Sequence, residues 1–182
     1  MRIIAGSVGG RRIEAPPGEG TRPTHDRVRE AVFSMLGAYF DGGCVLDLFA
    51  GSGALGLEAL SRGMTRAVFC DCDRTAAKVV EKNACRLGLS DSCRIFNLPF
   101  DRALLQMRGE AFDLVFLDPP YEGGFMDAAL SSLAENKLLQ KGARVVCEIR
   151  KTASLQAPKE YRVLKQRTYG MAQVVVLEYA NE

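Results

Sequence analysis

The stretch Asp47-Leu48-Phe49-Ala50-Gly51-Ser52-Gly53-Ala54-Leu55-Gly56 constrains this chain more than any other feature. An apolar strand-like run, Val45–Phe49, carries its first residues, and a helical run, Ala54–Arg62, follows it and stops at Gly63. A strand that turns on glycines into a helix lets a ligand approach backbone amides closely, so the loop reads as a cofactor cradle. It opens an alternating series. Further strands are expected at Ala67–Asp71, Arg94–Asn97, Leu114–Asp118 and Arg144–Glu148, with a helix at Arg74–Leu87 that Asp73 caps and Gly88 ends. Strands alternating with helices predict an α/β fold around a parallel sheet.

The flanks read differently. After the fifth strand, Tyr161–Thr168 and Gln173–Tyr179 predict an antiparallel hairpin. Before the first strand, Thr24 starts a helix whose Val28, Ala31, Val32, Met35 and Leu36 recur at helical spacing, while Arg27, Arg29 and Glu30 take the other face. Residues 1–23, with Gly6, Gly9-Gly10 and Pro16-Pro17 around short extended pieces, predict a small β extension and a basic loop. The 182 residues, 47% hydrophobic, suit one domain, with 24–182 as its catalytic core. The longest apolar runs, such as Ala143–Cys147 and Val174–Leu177, are strand-length, and no secretory signal precedes them, so a cytoplasmic protein without a membrane span is expected. Six cysteines form no Cys-x-x-Cys pair and His25 is the lone histidine, so buried thiols are expected rather than a metal site.

Gly51-x-Gly53-x-x-Gly56, with Asp71 about twenty residues on, matches the dinucleotide fingerprint literally. Asp47 argues against a dinucleotide, because its carboxylate, just ahead of the loop, would repel a pyrophosphate and suits an ammonium near a sulfonium. The turn Asp118-Pro119-Pro120-Tyr121, at the carboxyl end of the fourth strand, adds a second functional element. Its chemistry suits an exocyclic base amine, whose lone pair is delocalised into the ring and attacks a methyl donor poorly. Asp118 and the adjacent proline carbonyl can accept hydrogen bonds from the amino group and aim its lone pair. The two prolines fix the backbone, and Tyr121 can stack on a base taken out of its helix. Such a transfer needs no metal.

Net charge is only +2, but basic residues gather at Arg2, Arg11, Arg12, Arg22, Arg27 and Arg29, and again at Arg150, Lys151, Lys159, Arg162, Lys165 and Arg167. Taken alone these are ordinary solvated side chains. Their arginine bias suits phosphate contact.

At these motifs the chain resembles the seven-stranded S-adenosylmethionine methyltransferases, and more closely the bacterial 16S rRNA guanine-N2 methyltransferase family. The resemblance spans almost the whole chain and is carried by Thr21-Arg22-Pro23-Thr24 into Asp26-Arg27-Val28-Arg29-Glu30, by Asp47 through Leu60, and by Asp118-Pro119-Pro120-Tyr121. It implies a Rossmann-like class I fold, strand order 3-2-1-4-5-7-6 with the last strand antiparallel, helices on both faces, and methylation of one guanine in 16S rRNA within an assembled or assembling small subunit. It further implies that Asp47, Ala50, Gly51 and Gly53 line the cofactor's methionine end, that Phe49 and Ser52 also belong to the cofactor site, and that Asp71 holds the ribose. By the same carry-over, Asp118 to Tyr121 hold the guanine and Arg11, Arg12, Arg22 and Arg27 contact RNA. The product would be S-adenosylhomocysteine, and a monomer is expected. Asn97-Leu98-Pro99-Phe100 departs from the pattern in lacking an acidic residue for the adenine amine. Phe100 either serves the adenine or is a core aromatic opening the next helix. His25 receives no role, and Glu148, at the end of the fifth strand, either borders the site or caps a loop and stays outside the catalytic set.

Three rival functions remain at this stage. A DNA adenine-N6 or cytosine-N4 methyltransferase shares the aspartate-proline-proline turn but usually carries a separate recognition region. A non-catalytic RNA-binding assembly factor would not need Asp118–Tyr121 intact. An NAD-dependent oxidoreductase would need a substrate domain for which the chain has no room.

Overall fold

The computed structural model describes residues 1–18 and 23–180, with the backbone alone for 23–25. The elements run α1 (Pro23–Leu36), β1 (Cys44–Asp47), α2 (Ala54–Ser61), β2 (Arg66–Cys70), α3 (Arg74–Leu87), β3 (Cys93–Phe96), α4 (Phe100–Gln106), β4 (Phe112–Leu117), α5 (Phe125–Glu135), β5 (Leu139–Arg150), β6 (Tyr161–Tyr169) and β7 (Ala172–Tyr179). They form one seven-stranded sheet, ordered β3-β2-β1-β4-β5-β7-β6. β1 to β5 are parallel, and β7 runs antiparallel to both β5 and β6. Fold and strand order are those implied by the resemblance.

Strand alternation sends successive side chains to opposite faces, and both faces are covered. Val45, Phe69 and Phe116 pack with Phe33 and Val32 of α1, Leu57 of α2 and Val80 of α3. Leu46, Val68 and Leu117 pack on the other side with Leu104 of α4 and Leu130 of α5. Every residue of β1 is buried, which is why the central strands read in the sequence as unbroken apolar runs.

Several expectations are corrected. The small β extension is minimal: among the described residues it holds one antiparallel bridge, Arg2 to Arg12, flanked by Ile3 N donating to Arg11 O at 2.9 Å and Ile13 N to Met1 O at 3.1 Å. Beyond the bridge, the fully buried Glu58 of α2 holds the segment, its carboxylate accepting from Ile4 N at 2.8 Å and Ala5 N at 3.0 Å. Arg29 is not on a solvated face. It is 4% exposed, donates to Arg2 O at 2.6 Å and Asp26 at 3.0 Å, and lies 3.6 Å from Glu58. The thiols divide: Cys44, Cys70 and Cys147 are buried, whereas Cys72 and Cys85 are exposed. β5 starts earlier than expected because it meets β4 in two registers, Phe112 with Leu139 and Leu114 with Arg144, and Gly142 at φ +81° sits within the irregular segment between them. The hairpin turn tightens to Gly170-Met171, with Gly170 at φ +59°, the positive φ that a type II′ turn requires at its first position.

Candidate functional site

The cleft lies at the carboxyl ends of β1, β2, β4 and β5, where open parallel sheets present their loops. The glycine loop leaves β1, is tied to β2 by Ala50 N donating to Cys70 O at 2.9 Å, and enters α2 through Gly53 at φ +75°. Gly56 is not needed for a ligand. A Cβ there would lie 2.4 Å from the Phe69 ring, so this glycine lets α2 pack against β2.

Two carboxylates set the loop. Asp47 is buried, and its Oδ2 accepts from Gly56 N at 3.0 Å. Its carboxyl is pushed up to about 7, chiefly by burial, with the Gly56 amide opposing the rise and the charge of Asp71 adding to it. Asp71 follows β2 and spans two turns, its Oδ2 accepting from Gly51 N and its Oδ1 from Asp73 N, both at 2.9 Å. Each Asp71 oxygen keeps acceptor capacity beyond one amide, so an anchored carboxylate faces the cleft.

Phe49 and Phe100 stand 5.5 Å apart between ring centroids, and Phe125 meets Phe100 edge-on at 6.1 Å, giving one wall an aromatic surface. Phe100 is half-buried, opens α4, packs against the core and also lines the cleft. Asp101, the next residue, also lines the cleft. It is an acidic residue one position beyond 97–100, and the sequence signal for it was a carboxylate in the first turn of the helix after β3. Asn97 instead fastens the chain after β2, donating to Asp71 O at 3.0 Å and Cys72 O at 3.2 Å.

Asp118 to Tyr121 follow β4 and line the same cleft as the glycine loop. Pro119 is buried, whereas Asp118, Pro120 and Tyr121 are exposed. The Arg150 guanidinium lies 5.0 Å from the Tyr121 ring centroid, and the Tyr121 phenol is hydrogen-bonded to Glu148. Partial burial raises the phenol's pKa first, and the charges of Glu148 and Asp118 add to the rise. Glu148, Arg150 and Met171 at the hairpin turn complete that side of a cleft of about 1420 Å³. Of the two alternatives raised for Glu148, the cleft-bordering one matches its place here, whereas Arg150 was not read as a site residue although its position at the end of β5 was the available signal.

The four arginines expected at RNA separate. Arg12 and Arg27 are exposed. The Arg11 guanidinium donates to Leu87 O at 2.9 Å and to Arg86 O, satisfying carbonyls at the end of α3. Arg22 lies outside the described residues. Among the described residues no helix is long and apolar enough to cross a membrane.

Comparison with known proteins places this architecture. Residues 1–178 match the family model described as conserved hypothetical protein 95. The chain is 39% identical to ribosomal RNA small subunit methyltransferase D of Haemophilus influenzae over 94% of its own length and 90% of the relative's. The Escherichia coli K12 protein of the same name is 37% identical, over 81% of this chain and 74% of that one. The solved structure of Escherichia coli yhhF, to which a methyltransferase function is ascribed, superposes with a TM-score of 0.88 at 32% identity, covering 100% of this chain and 99% of that one. The chain belongs to the conserved hypothetical protein 95 family, together with the small-subunit ribosomal RNA methyltransferases D.

Proposed function

We propose that this protein transfers a methyl group from S-adenosylmethionine to the exocyclic N2 of one guanine in 16S rRNA, acting as a monomer on an assembled or assembling small subunit. One observation carries the reading: the Asp118–Tyr121 turn and the glycine loop, with its two carboxylates Asp47 and Asp71, open into one cleft. The names of the relatives support ribosomal RNA as the substrate class.

The residues present fit the cofactor. Asp71 is anchored by two backbone amides and still able to accept from the hydroxyls of a ribose. Asp47, a carboxyl whose charged form burial disfavours, gains when an ammonium approaches. Gly51 and Gly53 carry no side chain into the loop, Phe49 and Phe100 offer apolar surface to a purine, and Asp101 can accept from an adenine amine. When bound, S-adenosylmethionine supplies a methyl carbon activated by a sulfonium.

Asp118 and the Pro119 carbonyl accept from the guanine amino group, hold its nitrogen pyramidal and direct the lone pair at that methyl carbon. With the cofactor bound, its sulfur would keep the electron pair of the broken S–C bond as the amine nitrogen took the methyl, and Asp118 would pass the amine's surplus proton to water. Tyr121 stacks on the flipped base, and the exposed Arg12 and Arg27 meet phosphates.

The test is transfer of labelled methyl to naked 16S rRNA, isolated small subunits and duplex DNA, each lacking the modification, with the product nucleoside identified by mass. N2-methylguanosine in ribosomal substrate is expected. Label in DNA alone would replace this reading with a DNA methyltransferase, and cofactor binding without transfer to any substrate would replace it with an assembly factor.

A further inference from the structure

Glu148 lies beside the turn that the transfer uses. β4 and β5 are parallel, with Leu117 opposite Cys147, so Asp118 and Glu148 are the next residues on adjacent strands, which stand about 4.8 Å apart in a sheet. Both line the cleft. Glu148 is half-buried, opposite Val174 of β7, and is hydrogen-bonded to the Tyr121 phenol, whose ring lies against Arg150.

The edges of the bases differ in what they ask of such a neighbour. A guanine whose N2 amine is held by Asp118 and the Pro119 carbonyl presents its next donor, N1–H, on the same edge. An adenine presents a bare N1 there, and a cytosine a bare N3. A carboxylate can only accept, so it matches N1–H and repels an unprotonated ring nitrogen. We infer that Glu148 is the specificity-determining residue that accepts N1–H of the target guanine, with Tyr121 and Arg150 positioning it. This rests on the guanine-N2 reading above. It gives Tyr121 a second task, since one side chain both stacks on the base and orients the group that reads its edge.

The test compares guanine with 2,6-diaminopurine at the methylated position, introduced by splinted ligation into 16S rRNA and reconstituted into small subunits. Diaminopurine keeps the N2 amine but offers N1 as an acceptor. Wild-type protein is expected to methylate it with kcat/KM lower by roughly 30-fold, the scale set by one buried hydrogen-bonding group left unpaired. Glu148→Leu, close in size and unable to accept, is expected to lose a similar factor on guanine and to erase most of the difference between guanine and diaminopurine, with affinity for S-adenosylhomocysteine unchanged. Equal wild-type rates on the two bases would overturn the assignment without any variant, as would Glu148→Leu with wild-type kcat/KM on guanine. If wild-type protein forms no N2-methylguanosine at all, the parent reading fails, an outcome separate from loss of base discrimination.

Discussion

The side-chain amide of Asn83 donates to the carbonyl of Ser52 at 2.9 Å, tying the glycine loop to the middle of α3. The same nitrogen donates to Glu14 O at 2.9 Å, and Asn83 Oδ1 accepts from Glu14 N at 2.8 Å. One fully buried side chain therefore joins the loop, a helix and the N-terminal segment. Asn83→Ala strands these partners and is expected to cost about 3 kcal/mol in urea denaturation, the scale of unpaired buried polar groups. It should also weaken S-adenosylhomocysteine binding, measured by calorimetry, although residue 83 touches no cofactor in the proposed pose.

Asp47 links stability and binding to pH in opposite directions. Its carboxyl lies at about 7 in the folded chain against an ordinary 3.8, so between those values the folded state holds a proton that the unfolded state has lost. Stability from this group is therefore greatest below that window and falls as pH rises to about 7. Binding of an ammonium requires the charged form, so cofactor affinity should rise over the same range, by up to about tenfold per pH unit. Asp47→Asn should flatten both trends, gain stability over wild type as pH rises, and bind cofactor poorly. Paired denaturation and calorimetry series at several pH values would check all of this.

Asp118→Ala should lower kcat by roughly 10²- to 10³-fold, the range for removing one preorganised polar partner of a reacting group. Cofactor affinity should stay near wild type. Near-normal single-turnover rates would remove Asp118 from the transfer step.

Gly56→Ala drives a Cβ to 2.4 Å from the Phe69 ring, and overpacking of this kind costs about 1–3 kcal/mol. A second change, Phe69→Leu, should recover part of the loss when thermal melting of the single and double variants is compared. Non-additivity is expected because the two positions share one contact.

Arg11 and Arg12 should behave differently although they are neighbours. Arg11→Ala removes hydrogen bonds to the end of α3 and should lower the melting temperature. Arg12→Ala should leave melting unchanged and reduce the slope of log affinity against log salt for RNA by about 0.7 to 0.9, as expected for one lost phosphate contact.

What the sequence made legible was whatever is encoded locally. The central strands, buried on both faces, announce themselves as apolar runs, and Asp73 with Gly88 frames α3, the first accepting from Thr75 N at 2.7 Å and the second at φ +73°. α4 and α5 lack such punctuation: neither has a side-chain hydrogen bond at its N-cap, the caps being Pro99 and Gly124. Partnerships across long stretches of chain were not legible. Glu58 lies 54 residues from Ile4 and Asn83 lies 69 from Glu14, and nothing near either side chain marks its target. Arg29 was misplaced for the same reason, because its charge argues for solvent until Glu58 is seen beneath it. In the cleft, the motif residues were visible as motifs, whereas Asp101, Glu148 and Arg150 belong to the site only because strand ends converge there.

The placement of β7 between β5 and β6 has a consequence for synthesis. A nascent chain halted before Ala172 already carries the glycine loop and the Asp118 turn, yet β5 has a bare edge and β6 has no partner. Val174, Val175, Val176 and Leu177, all buried in the finished molecule, must emerge before that edge is covered. During translation the growing polypeptide thus exposes an unpaired strand until its final hairpin closes, a window in which chaperone capture or self-association competes with completion of the fold.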